Sequence, residues 1–189
     1  MDAIEALLTR RSVPALKLTG PAPSQEQIEV AIDAALRAPD HGNLKPWRAA
    51  LIRGEARQAL ADLFVRQMQS RDPPAPAGKI EKARTMPLSA PLIIAVGARI
   101  HTDHKVPEVE QLLSCGAATM NLLNALHAQG FAAIWLTGPN AYDPQIAGLL
   151  GFSSDERCLG FVYVGTPVTP ATHDPPHASR GDYAREWSG

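Results

Sequence analysis

Three groups of side chains in this sequence are of types that bind ligands or react. Arg10, Arg11 and Ser12 stand consecutively where a short helical pattern ends. Two guanidinium forks beside a hydroxyl suit a phosphate group, although the same run also reads as a solvated basic turn favouring a helix C-terminus. The second group is the run APDHGNLKPW, residues 38–47, with Asp40, His41, Asn43 and Lys45 around Gly42 and before Trp47. It reads either as a helix-to-strand connection with Asp40 and Asn43 closing turns, or as a loop that contacts a ligand. The third is HTDHK, with His101, Asp103 and His104. Two histidines three apart share a metal when they lie on a helix. Here they fall in a connection without a third ligand at a recognisable spacing, so no metal site is expected.

The remaining reactive types are quiet. His127 reads as a hydrogen-bonded core residue. Cys115 and Cys158 have neither metal nor redox spacing, as expected of buried thiols in a reducing cytosol. The chain has no GxGxxG, Walker loop, GxSxG or carboxylate pair with a shared context. An enzyme without a protein nucleophile or base commonly leaves the reaction to a cofactor. The formal net charge of −1 and pI near 6.6 give no global field for nucleic acid or an anionic membrane. The N-terminal MDAIEALLTRRS puts acids before arginines, the reverse of a secretory signal, so a cytoplasmic location is expected. With 189 residues and no internal repeat, a single domain over 1–189 is expected.

The elements that position these groups follow from periodicity and caps. Positions 111–142, 32 in all, contain no Asp, Glu, Lys or Arg in a chain that is 20% charged. The first part predicts a long helix from Pro107 to Gln129, with Glu108 and Glu110 at its positive end and Gly130 as its stop. Its apolar positions go most of the way round, which predicts burial against the protein's own sheet on one side and a second copy on another. Asn121, Asn124, His127 and Gln129 interrupt the run too early for a bilayer span. FAAIWLT then predicts a buried strand that delivers Trp135 to its far end.

Elsewhere, helices are expected over Asp2–Thr9 with an Asp2/Glu5 capping box, over Ser24–Ala38 with a Ser24/Gln27 box, over Glu55–Gln69, and over Gln145–Leu150 after an Asp143 cap. Lys79–Arg84 predicts one or two turns. Ala49–Arg53, Pro91–Ala98 and Cys158–Gly165 predict strands. The stretch 70–78 and the tail after Thr166 read as the least structured, with Tyr183 and Trp187 expected to pack on something.

Taken in order, the segments RRS, RAPDHGNLKPW, KARTMPLSAPLIIAV, HKVPEVEQ…GAATMNLLNALHAQGFAAIWLTG and LLGFSSDERCLGFVYVGTP resemble the FMN-dependent nitroreductase family, most nearly its compact YdjA-like branch. The resemblance spans nearly the whole chain, failing in 70–78 and after Pro167. It implies an α+β fold, a central mixed or antiparallel sheet flanked by helices, in an intertwined homodimer with two FMN sites at the interface. It implies hydride passage from NADH or NADPH through FMN N5 to a nitroaromatic, quinone or enone acceptor in ping-pong order, with no protein residue as covalent catalyst. By position, Arg10, Arg11 and Ser12 match the family's N-terminal FMN contact. Arg37 and His41 match flavin-binding positions of this branch, and Trp135, Leu136 and Thr137 match the strand segment lining the flavin from the other subunit. Asn43 and Lys45 sit where larger members place polar ring contacts.

There are two departures. Pro14 stands where larger nitroreductases carry a lysine, which leaves Arg37 or Lys45 as the charge near flavin N1. No basic pair in the tail aligns with the family's C-terminal phosphate contacts; the tail offers only Arg180, Arg185, His173 and His177. A flavin-binding protein of the same fold with a non-reductase role (flavin breakdown, storage or regulation) is the alternative, and a cofactor-free interaction module is a third. Neither the acceptor nor the nicotinamide preference has a readable signature.

Overall fold

A computed structural model of the chain describes residues 2–71, 73, 75–169 and 179–189, so that part of the 70–78 stretch, together with His173 and His177, lies outside the described residues. In chain order the elements are α1 (Ala3–Thr9), β1 (Leu18–Thr19), α2 (Gln25–Ala35), β2 (Trp47–Arg53), α3 (Ala56–Ser70), α4 (Ala77–Thr85), β3 (Leu92–Arg99), α5 (Glu108–Ala128), β4 (Ala132–Leu136), α6 (Pro144–Leu149) and β5 (Glu156–Pro167). The fold is α+β, and its five strands pair antiparallel.

The caps form as the sequence predicts. The Asp2 carboxylate accepts from the Ile4 and Glu5 amides at 2.9 Å. Ser24 and Gln27 satisfy each other's amides in a capping box. Asp143 accepts from the Gln145 amide, with Pro144 in the first turn of α6. Helix α5 ends where Gly130 adopts φ 89°, a conformation that glycine reaches without a Cβ clash.

Strand β5 organises the sheet. It pairs with β3 along most of its length, with β4 over Phe161–Gly165, and with β1 at its end; β2 lies beyond β3. Side chains alternate across this sheet. Ile93, Ala95, Phe161 and Tyr163 face Leu60, Phe64 and Met68 of α3, and the Phe64 and Phe161 rings meet edge to face at 5.0 Å. Leu92, Ile94, Val96, Val162 and Val164 face Ile28 and Ala31 of α2 and Leu122 and Leu126 of α5. With helices on both faces, β3 and β5 read as continuous apolar runs. Strands β2 and β5 extend beyond their predicted ends because their neighbours supply hydrogen-bonding partners there, such as Trp47 opposite Ala98.

Within the protomer, helix α5 is buried on one side, the one expected to meet the sheet. Cys115, Ala118, Thr119, Leu122, Leu123 and Leu126 are buried within the protomer, whereas Val109, Leu113 and Met120 are 60%, 67% and 40% exposed. One side meets the sheet and α2, and the other is open. In the tail, Tyr183 and Trp187 are 80% and 90% exposed.

Candidate functional site

Helices α2 and α5 run in opposite directions, and three contacts fix their alignment. Gln129 Nε2 donates to the Gln27 carbonyl, Asn121 Nδ2 donates to the Ala34 carbonyl, and His41 Nδ1 meets Glu110 Oε2. The expected site residues therefore divide between the two ends of α5. His41 meets its first turn at Glu110, and Arg37 lies on the chain between that contact and the one from Ala34 to Asn121; both are exposed. Arg10, Arg11 and Ser12 stand by its last turn, where Thr9 Oγ1 lies 2.9 Å from His127 Nε2. From Glu110 to His127 the helix rises about 25 Å at ~1.5 Å per residue.

At the last turn of α5 the N-terminal segment runs alongside β4. Ser12 bridges Ala133, and the Val13 amide donates to the Ala133 carbonyl at 3.1 Å. This contact shapes a cleft of about 180 Å³ lined by Arg10, Arg11, Leu123, His127, Phe131 and Pro167 among others. Among the described residues no carboxylate lines it. Arg10 Nε is buried without a hydrogen-bond acceptor, an arrangement that costs free energy until an acceptor arrives. The chemistry of this lining suits an oxyanion.

The polar loop holds its shape through its own carboxylate. Asp40 accepts from the Leu44 and Lys45 amides at 3.1 and 2.7 Å. Gly42, Asn43 and Lys45 all take positive φ, at 77°, 52° and 52°. Two non-glycine residues in that region is uncommon and marks a conformation imposed by its surroundings. Arg48 anchors the loop's far side, donating to the Lys45 and Trp47 carbonyls and to Glu156 Oε1 at 2.6 Å. The side chains of His41, Asn43 and Lys45 all project outward.

Strand β4 runs from the arginine cleft toward a second cavity of about 350 Å³, enclosed by α3, α4 and the β4–α6 connection. Leu136 and Thr137 line it, with Phe64, Met68, Met86, Phe161 and Tyr163 as apolar walls and Arg71, Lys79 and Lys82 as its cations. Arg71 is held by Asn140 at 2.8 Å and Asp143 at 3.5 Å. Trp135 lies between the two cavities, half-buried, its indole Nε1 without an acceptor. No group of three or more His, Cys, Asp or Glu that could hold a metal occurs among the described residues.

The sequence profile of the Nitroreductase family matches residues 7–166. The chain belongs to this family. It is 39% identical over 172 residues to the Escherichia coli K12 protein named "Putative NAD(P)H nitroreductase YdjA", covering 91% of this chain and 92% of that protein. In fold it is similar to a nitroreductase-like family protein from Bacillus cereus, with a TM-score of 0.86, 20% identity, and coverage of 100% of this chain and 97% of that one. It is also similar to a variant of the FMN- and NADPH-dependent nitroreductase NfnB from Sphigopyxis sp. strain HMH, with a TM-score of 0.77, 22% identity and full coverage of both chains.

Within this nitroreductase family member the structure thus brings Arg10, Arg11 and Ser12 together at the start of β4 and puts Leu136 and Thr137 at its end. Arg37 and His41 remain apart from both. Sequence reasoning missed His127, which lines the arginine cleft and is not merely a core residue. It also missed Lys79 and Lys82, although their three-residue spacing on one helical face was readable. No helix among the described residues is long and apolar enough to cross a membrane.

Proposed function

We propose that the chain is an FMN-dependent NAD(P)H oxidoreductase, a single domain over 1–189, acting as a homodimer in the cytoplasm on small electrophilic acceptors. The observation that carries this reading is the cleft beside β4, which Arg10 and Arg11 line and where the buried Arg10 Nε has no hydrogen-bond acceptor. A flavin phosphate supplies the missing acceptor. A bound FMN provides the chemistry itself, passing hydride from NADH or NADPH to a nitroaromatic, quinone or enone.

The protein's part is placement and charge. Arg10 and Arg11 hold the phosphate in charge-assisted hydrogen bonds, with the Ser12 hydroxyl beside them. Because Ser12 bridges Ala133 of the same strand, we assign Trp135, Leu136 and Thr137 to the same protomer as the arginines, not to the other subunit as the resemblance implied; they form the wall along which the ring system lies. His41 stands by the far end of α5, where it meets Glu110, and Arg37 lies on the chain just before it. In a homodimer they reach the flavin held by the other copy, and the open face of α5 with Val109, Leu113 and Met120 is the surface that joins the two. The acceptor enters the cavity between α3 and α4, whose apolar walls exclude water beside Leu136 and Thr137. No side chain is required as nucleophile or base; close, oriented approach lowers the barrier.

The test is anaerobic titration of the purified protein with NADH and with NADPH, followed by reoxidation with a panel of nitroaromatics, quinones and enones. A yellow protein that bleaches with a nicotinamide and recovers colour with an acceptor supports the reading. A yellow protein inert to both nicotinamides supports the non-reductase role, and a colourless one that FMN does not stabilise overturns flavin binding.

A further inference from the structure

The cleft beside β4 contains a third side chain with a role still to be assigned. His127 is half-buried and lines the cleft with Arg10 and Arg11. Its ring is already oriented. Nε2 lies 2.9 Å from Thr9 Oγ1, and that hydroxyl donates to the Glu5 carbonyl at 2.7 Å. A hydroxyl has one hydrogen to give. With it committed to Glu5, the second contact runs the other way, and Nε2–H donates to the Thr9 oxygen. The neutral ring then carries its lone pair on Nδ1, and a proton taken up there creates a second donor. Among the described residues nothing hydrogen-bonds to Nδ1.

The surroundings keep that proton off while the cleft holds no anion. Burial, and after it the charges of Arg10 and Arg11, push the His127 pKa below the ordinary histidine value. Among the described residues the two arginines are the charged groups facing it. Helix α1 offers the Thr9 hydroxyl; β4 with the residues before it, the end of β5, and α5 itself contribute Phe131, Ala132, Ala133, Pro167 and Leu123, none of which titrates. A dianion placed among these groups reverses the balance, because it offsets the arginines' repulsion and offers an acceptor to Nδ1–H.

We propose that His127 is a phosphate ligand, taking up a proton at Nδ1 as a phosphate monoester enters and completing a three-cation site with Arg10 and Arg11. The proposal rests on the FMN reading above. It also accounts for the tail's lack of an alignable basic pair, since the third cation comes from the last turn of α5 instead.

The test compares FMN with riboflavin, which lacks the phosphate, by fluorescence titration of the flavin-stripped full chain from pH 7 to pH 9. Over that range a phosphate monoester, with its second pKa at about 6, is already ionised and adds no slope of its own. The wild type is expected to lose FMN affinity as pH rises, by up to about tenfold per unit for one linked proton. His127→Gln is expected to bind FMN about tenfold more weakly at pH 7 and without pH dependence, with riboflavin affinity unchanged. A wild-type FMN affinity independent of pH overturns the proposal, as does a variant that weakens FMN and riboflavin equally. If the variant fails to fold, proton NMR titration of the wild-type imidazole decides: its pKa must rise when FMN is added. Binding of neither flavin overturns the FMN reading instead. Thermal stabilisation by millimolar inorganic phosphate is then measured, and the histidine stands if His127→Gln loses it and falls if both proteins respond alike.

Discussion

A Cβ placed on Gly160 would lie 2.4 Å from Trp135 Nε1 and 2.7 Å from the Leu136 carbonyl oxygen, and Gly160 also adopts φ 139°. Its hydrogen lets the indole of β4 pack closely against β5, which ties a residue of the proposed flavin wall to this position. Gly160→Ala is therefore expected to destabilise the protein by more than about 2 kcal/mol, through overpacking and backbone strain together. Chemical denaturation measures that loss. The flavin arm of the same experiment is sharper: Trp135 must move, so retained FMN should drop even in the fraction that stays folded. A variant of wild-type stability would show that the two strands are not in this close contact.

Two predictions belong to individual helices. On α5 the exposed Leu113 and Met120 stand on the side opposite the core. If a second copy covers them, Leu113→Glu with Met120→Glu should yield monomers in sedimentation velocity and release FMN, because Arg37 and His41 are then withdrawn from the partner's flavin. Loss of flavin without loss of dimer, or the reverse, would separate the two roles. On α4, Lys79 and Lys82 edge the cavity proposed to take the acceptor, and no salt bridge to either occurs among the described residues. Their charge should favour acceptors carrying a carboxylate. Each exposed cation contributes up to about 1 kcal/mol, so Lys79→Glu with Lys82→Glu should raise KM for 4-nitrobenzoate about tenfold relative to the neutral 4-nitrobenzamide. An unchanged ratio would place the acceptor elsewhere.

For the whole molecule, titration reports the core. Cys115, on the inner face of α5, is fully buried, and burial pushes its thiol up to about 12; Cys158, buried in β5, moves in the same direction. Unfolded thiols titrate near 8.5. Stability is thus intact below about pH 8.5 and falls as pH rises from there toward 12, because above 8.5 the unfolded chain has released protons that the folded one retains. Urea denaturation at pH 8, 9 and 10 should show this decline, and Cys115→Ala should flatten it relative to the wild type. The same burial makes both thiols slow to react with disulfide reagents in the native state.

Much of this protein is legible in its amino-acid order because the determinants are local. The Ser24/Gln27 and Asp143 caps, the Gly130 stop, the charge-free run and the apolar strands each act through neighbours a few residues away. The ordered segments from RRS to GFVYVGTP carry the family for the same reason. Tertiary structure decided what depends on distant partners. Trp47 joins β2 because Ala98 stands opposite it. His127 leaves the core for the cleft because Thr9, 118 positions earlier, meets it there. Asp40 and Arg48 fix the shape of the polar loop through contacts to its own backbone. Separation in sequence hides such contacts, since side-chain type specifies what a group can bind but not which surface the fold will bring to it.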